Sequence, residues 1–258
     1  MPRLDIEIVN RGLAKSRALA QSYIAEGKVM LNGNVIDKAS KYIKDSDEII
    51  VTDTLQYVSR GGLKLERAIF EWLPSLGEGL GMGKDFICLD IGSSTGGFTD
   101  CLLQHGATHV TAVDVGSNQL DVTLRDDERI MLFENTDIRS FNPHQYFDLI
   151  TIDTSFISLT KIIPHLAQFC FDKGDVRTTK VIALVKPQFE VGKGNLNNKG
   201  IVKTFDANGR DISSQVYSEV IENIKKSFED HGFGYISHID SPIAGGDGNR
   251  EFLMCVGY

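Results

Sequence analysis

Cys88-Leu89-Asp90-Ile91-Gly92-Ser93-Ser94-Thr95-Gly96-Gly97-Phe98-Thr99 is the string best suited to hold a small ligand. An apolar run enters a glycine-rich turn and then a helical pattern. Glycine is needed where backbone must approach a ligand closely, at dihedrals that other residues resist. A dinucleotide enzyme would show G-x-G-x-x-G, with a pyrophosphate on the helix N-terminus. Here the order is Asp-x-Gly-x-x-x-Gly-Gly, and the acid at Asp90 suits a cation better than a pyrophosphate. S-adenosylmethionine carries an ammonium and a sulfonium, and Asp90 can oppose that charge. Gly92, Ser94, Gly96, Gly97 and Phe98 are the loop positions expected to surround it. A nicotinamide cofactor is the competing reading of the loop.

Further charged residues fall where strands should end. Thr111-Ala112-Val113-Asp114-Val115-Gly116 puts a carboxylate about 20 residues past the loop, where it can accept both ribose hydroxyls. Asp137, in Glu134-Asn135-Thr136-Asp137, is placed to meet an adenine amino group. Two more strand tips read Thr151-Ile152-Asp153-Thr154-Ser155-Phe156-Ile157-Ser158 and Leu184-Val185-Lys186-Pro187-Gln188-Phe189-Glu190-Val191-Gly192. Ligands of open parallel sheets bind beyond the carboxyl ends of the strands, so Asp153 and Lys186 should converge over the methyl donor. The Asn/Asp-Pro-Pro-aromatic string of N6-methylating enzymes is missing, as is the cysteine that cytosine C5 methylation needs. A lysine facing an aspartate suggests deprotonation of a hydroxyl instead. Methyl transfer from a sulfonium is an in-line displacement, in which positioning supplies much of the rate.

These tips require an alternating α/β framework. Apolar runs at 86–91, 110–115, 130–133, 147–152 and 181–185 read as strands. Helical patterns lie between them, notably 95–103, 159–170 and 212–229. That alternation predicts a parallel sheet covered on both faces. Runs at 235–239 and 251–257 are joined by a loop rather than a helix, so the sheet should end in an antiparallel hairpin. A helix from about Leu63 to Leu73 precedes the sheet. A connection containing Gly77, Gly79, Gly81 and Gly83 follows it.

The first fifty residues have a different design. Helices are expected over 5–11, stopped by Gly12, and from Ser16 through Glu26, closed by Gly27. Val29-Met30-Leu31, Asn32-Gly33 and Val35-Ile36 spell a hairpin, and Glu48-Ile49-Ile50-Val51 adds a strand. The boundaries expected are a small α+β domain over 1–51, a linker over 52–59 and an α/β domain over 60–258.

Composition narrows the classes further. The chain has 258 residues, 41% hydrophobic and 24% charged, which is ordinary for a soluble globular protein. Neither a bilayer-length apolar run nor a signal-peptide pattern appears, so a cytoplasmic protein is expected. The four cysteines and six histidines show no metal-ligand spacing, and no metal is expected. A net charge of −8 argues against nucleic acid, but residues 1–50 carry eight Lys/Arg against seven Asp/Glu. A local basic face can still bind phosphates, because their attraction is short-ranged at physiological salt.

Two resemblances sharpen the reading. The 3–51 stretch, with Ser16-Arg17, Ile24, Gly27, Val29 and Asn32-Gly33, resembles the RNA-binding domain of the ribosomal protein S-four (alpha-L) type. That likeness implies RNA contacts from Arg3, Arg11, Lys15, Arg17 and Lys28. The whole chain resembles the TlyA-type (hemolysin A) methyltransferases of the FtsJ-like class. Ser59-Arg60-Gly61-Gly62-Leu63-Lys64-Leu65, the Asp90–Thr99 loop, Ser155-Phe156-Ile157-Ser158, the Lys186 string and Gly248-Asn249-Arg250-Glu251 carry this likeness. It implies a Rossmann-like S-adenosylmethionine-dependent methyltransferase sheet and a Lys-Asp-Lys-Glu tetrad at Lys64, Asp153, Lys186 and Glu251. The reaction implied is methylation of a cytidine ribose 2′-hydroxyl in ribosomal RNA, on the large subunit alone or on both. Lys186 would act as base, with Lys64 crowding it and the two carboxylates orienting the lysines. A base methyltransferase, a non-catalytic RNA-binding factor and a membrane-active hemolysin are the alternatives. The last requires an amphipathic or apolar segment that the sequence does not show.

Overall fold

The structure, a computed structural model, describes residues 2–51, 56–73, 85–171, 178–206, 208–245 and 248–258. The glycine-rich connection and residues 52–55 of the expected linker lie outside them. The chain divides into two compact units, Met1–Ser59 and Arg60–Tyr258.

In the first unit, helices α1 (Leu4–Asn10) and α2 (Arg17–Ala25) accompany a three-stranded antiparallel sheet. Its strands are β1 (Val29–Leu31), β2 (Asn34–Val35) and β3 (Ile49–Val51), in the order β2-β1-β3. Ser16 Oγ caps α2 by accepting from the Leu19 N–H at 3.2 Å. Asn32 and Gly33 both take positive φ (49° and 79°), the twist that a two-residue hairpin needs. Leu4, Ile8, Tyr23, Ile24, Val29 and Ile43 form the core.

Four basic side chains of this unit, Arg3, Arg11, Arg17 and Lys28, have partners within it. Buried Asp5 accepts from Arg3 at 3.0 Å, Arg17 at 2.8 Å and Gln21 at 2.7 Å. Arg11 donates to Glu7 at 3.0 Å and to the Asp47 carbonyl at 2.7 Å, fastening α1 to the 44–47 turn. Lys28 stands 3.2 Å from Glu26, and Lys15 is exposed. Burial pushes the Asp5 carboxyl up, but the bonds from Arg3, Gln21 and Arg17 outweigh it and hold it well below the ordinary carboxylate range. A depressed carboxyl stabilises the fold above its unfolded pKa, and that contribution fades as pH falls toward the folded value. Asp5→Asn should therefore weaken this unit by about 1–3 kcal/mol at neutral pH. The deficit should shrink below about pH 4. Amide hydrogen exchange over residues 4–31 measures it, and unchanged protection would refute the role.

The second unit starts with α3 (Gly61–Trp72) and then alternates strands and helices. They are β4 (Ile87–Ile91), α4 (Gly97–Gln104), β5 (His109–Val113), α5 (Val122–Arg125), β6 (Ile130–Phe133), β7 (Leu149–Ile152), β8 (Lys180–Val185), α6 (Pro187–Glu190), α7 (Ser213–Asp230), β9 (Gly234–Asp240) and β10 (Phe252–Gly257). The seven-stranded sheet runs β6-β5-β4-β7-β8-β10-β9. Its first five strands are parallel, while β10 lies antiparallel between β8 and β9. This is the expected parallel sheet with a closing hairpin. The hairpin folds so that its second strand sits on the inside. Leu89, Ile150, Ile152, Val181, Val185 and Met254 join Ile224 and Phe228 of α7 in the core.

Two local expectations change. Residues 159–170, expected as one helix, form three 3₁₀ turns at Leu159–Lys161, Ile163–His165 and Ala167–Phe169. Pro164 lacks an N–H, and its ring clashes with a continuous helix. The apolar side chains still reach the core, because Leu159, Ile162, Ile163, Leu166 and Phe169 are all buried. The helix expected from residue 95 starts at Gly97. Ser93 to Gly96 first make a tight turn, in which the Gly96 N–H donates to the Ser93 carbonyl at 2.7 Å with Gly96 at φ 94°.

Candidate active site

The carboxyl ends of β4, β5 and β7 open into a cavity of about 500 Å³, lined in part by Gly92, Ser94, Asp114, Val115, Asp137, Ile138 and Asp153. Gly92 has φ 83°, and a Cβ there would fall 2.5 Å from the Asp153 carbonyl oxygen. Only glycine lets the β4 and β7 tips meet this closely. Asp114 leaves β5 and accepts from the Ser94 N–H at 2.8 Å and the Gly116 N–H at 2.6 Å. Its two oxygens are thus pinned, with lone pairs left to face the cavity. Asp137 is gripped by Arg139 at 2.6 Å, and the Arg139 hydrogen bonds pull its carboxyl down to about 2.

The remaining loop residues do not line this cavity. Gly97 and Phe98 are buried at the start of α4, and Gly96 shapes the turn before it. Asp90 is fully buried, accepting from Thr99 Oγ1 at 2.6 Å and Thr151 Oγ1 at 2.9 Å. Burial raises its carboxyl to about 6, against the two threonine bonds, and the nearby Asp153 charge adds to the rise. Asp90 thus sits behind the loop, bonded to two threonines, and is not among the residues lining the cavity. The sequence suggested that Asp90 opposes a ligand's positive charge; the two threonine bonds fix the carboxylate in its buried place behind the loop.

A second cavity, of about 720 Å³, is lined by Lys64, Ser155, Phe156, Lys186, Gln188 and Glu251 among others. It shares Ser155 and Phe156 with the first. The four tetrad positions form two ion pairs, with Lys64, Lys186 and Glu251 lining this cavity and Asp153 lining the first. Lys64, in the first turn of α3, meets Glu251 at 2.5 Å, with side chains 11% and 2% exposed. Lys186, at the end of β8, has Asp153 as counter-ion at 2.6 Å and donates its hydrogen bond to Ser155 Oγ at 3.0 Å. The apolar face of α3 (Leu65, Ala68, Ile69) is buried, and Trp72 Nε1 donates to Ser237 Oγ of β9 at 2.6 Å. Those contacts fix the helix that delivers Lys64. A Cβ at Gly245 would collide with Glu251 Oε1, so a glycine keeps that carboxylate in place.

Sequence reasoning quoted the 155–158 and 186–190 strings without giving Ser155, Phe156, Gln188 or Glu190 a role. Glu190 accepts from Ser158 Oγ at 2.5 Å and the Leu159 N–H at 2.9 Å, tying the turn after β7 to α6. Burial pushes its carboxyl up, against those two bonds. Long apolar-polar strings at two strand tips were the available signal, but a tie across 31 or more residues is invisible to local pattern.

Comparison with known proteins agrees with this geometry. The FtsJ-like methyltransferase family matches residues 57–258, and the S4 domain family matches residues 2–49. Hemolysin A of Brachyspira hyodysenteriae is 38% identical over 97% of this chain and 98% of its own length. The 16S/23S rRNA (cytidine-2'-O)-methyltransferase TlyA of Mycobacterium tuberculosis is 35% identical over 98% of this chain and 88% of its own. A solved Streptococcus thermophilus protein bearing the hemolysin name superposes with a TM-score of 0.71 at 38% identity, covering 99% of this chain and 88% of that one. Among the described residues, no helix is long and apolar enough to cross a membrane. The chain belongs to the FtsJ-like methyltransferase family, in the TlyA-type group that carries an S4 domain ahead of the catalytic sheet.

Proposed function

We propose that this protein methylates the ribose 2′-hydroxyl of a cytidine in ribosomal RNA, using S-adenosylmethionine. The observation that carries the reading is two lysine–carboxylate pairs at two adjoining cavities: Lys64, Glu251 and Lys186 line the second, and Asp153, the partner of Lys186, lines the first at the strand tips. The cytidine and the ribosomal RNA come from the activity named for the tuberculosis relative. The S4 domain supports RNA binding by the first unit.

The first cavity fits the donor. Asp114 would offer pinned acceptors to the ribose hydroxyls, Val115 and Ile138 apolar faces, and Asp137, in the same lining, an acceptor for the adenine amino group. When bound, S-adenosylmethionine supplies an electrophilic methyl on a sulfonium. Asp90 favours that cation from behind the loop. In the second cavity Lys186 receives or holds the proton of the attacking hydroxyl, and Asp153 and Ser155 orient its Nζ. Lys64, fixed by Glu251, supplies a second positive charge next to the nucleotide. Positioning of this kind is what an in-line displacement asks of a protein.

Incubation of the purified protein with ribosomal subunits and S-adenosylmethionine, followed by nucleoside mass spectrometry, tests the reaction. 2′-O-methylcytidine is expected, and a base-methylated nucleoside in its place would refute the ribose assignment. Asp114→Ala should weaken S-adenosylmethionine binding about ten- to a hundredfold in calorimetry, as loss of charged hydrogen bonds does. Undiminished affinity would remove Asp114 from the donor site.

A further inference from the structure

We propose that Gln188 contacts the Watson–Crick edge of the target base, with the Phe156 and Phe189 rings beside it as a stacking surface. This rests on the reading that the second cavity takes the target nucleotide. Gln188 lies two residues beyond Lys186 and lines the same cavity. Its Oε1 is buried and has no hydrogen-bond donor among the described residues. Buried polar atoms are nearly always satisfied, and an unmet carbonyl is costly to keep. In the wall of a substrate cavity, such an atom points to a donor that arrives with the ligand.

The neighbouring rings fit a nucleobase. Phe156 is 92% exposed and has φ 64°, a backbone region that a bulky aromatic residue rarely adopts. Its ring lies 5.3 Å from that of Phe189, centroid to centroid. Strain and exposure together are hard to account for by packing, because this side chain buries almost nothing. Proteins that bind unstacked bases combine aromatic faces for the ring with polar groups for its edge. Cytosine presents a 4-amino donor next to the N3 acceptor, and a primary amide offers the matching acceptor and donor. Glu190 bonds to Ser158 and Leu159, so the turn carrying Phe156 is held against the helix carrying Gln188 and Phe189. The base surface is thus assembled before the RNA arrives.

The test is a cycle between protein and substrate. The target cytidine is mapped first and then replaced, by splinted ligation of the RNA, with its analogue lacking the 4-amino group. Gln188→Leu and the wild type are assayed on both RNAs for kcat/KM. Each change alone should lower kcat/KM about tenfold, and the two together still only about tenfold, since one hydrogen bond is lost once. A combined loss near the product of the two, about a hundredfold, or no loss from Gln188→Leu, would overturn the assignment. The melting temperature of Gln188→Leu should hold or rise, because no protein partner is lost; a fall would mark Gln188 as structural and also overturn it. The wild type on unmodified RNA separates the two readings. Without 2′-O-methylcytidine there, the site reading fails and the base contact with it. With that product but multiplicative losses, Gln188 alone is wrong.

Discussion

Lys186→Ala should lower kcat by about 10²–10⁴-fold, the range for a positioned proton-transfer group. Binding of S-adenosylmethionine and of ribosomal RNA should change little. Lys186 is set between Asp153 at 2.6 Å and Ser155 at 3.0 Å and lines the second cavity, not the first. An interaction made mainly in the transition state appears in kcat and kcat/KM together and leaves the ground-state complexes intact. Single-turnover methylation with saturating RNA measures the chemical step, and calorimetry measures the donor. Lys186→Arg separates two roles. A guanidinium stays protonated, so it can hold a hydroxyl but cannot take its proton. Near-native methylation by Lys186→Arg would replace the base role with positioning. Loss of RNA binding in Lys186→Ala would recast the lysine as a phosphate contact.

What could be read from the sequence divides along a physical line. Strand runs, the Asn32-Gly33 hairpin and the Ser16 cap are local, and each appears within about two residues of its expected place. The sheet class followed from alternation alone. The insertion of β10 between β8 and β9 did not, because pairing between distant strands leaves no local mark. The tetrad was legible only through motif likeness. Lys64 and Glu251 are 187 positions apart, and nothing in their spacing announces a 2.5 Å contact. Asp90 is the reverse case: its place before the glycine loop is plain in the sequence, but its bonds from Thr99 and Thr151, 9 and 61 positions away, are not. Arg11, expected among the RNA-facing basic residues, also donates within its unit to Glu7 and to the 44–47 turn, ties that no local pattern shows. Composition counts charges but does not show which of them already have partners.

The Lys64–Glu251 pair allows stability and catalysis to be pulled apart. Both side chains are nearly buried, at 11% and 2% exposure, and each is the other's counter-ion. Lys64→Met leaves the Glu251 carboxylate buried without its cation, which should cost about 3–5 kcal/mol of unfolding free energy. Glu251→Leu should cost about as much by stranding the ammonium. Replacing both by apolar residues of similar volume removes the two desolvated charges together, so Lys64→Met/Glu251→Leu should recover most of that loss. Turnover should not follow. If Lys64 supplies charge at the reacting nucleotide, the double variant folds like the wild type and still fails to methylate. Denaturant melts and single-turnover assays on the three variants read the two properties separately. A double variant that regains both stability and near-native methylation would show the pair to be a strut between α3 and β10, and the catalytic charge would then rest on Lys186 alone.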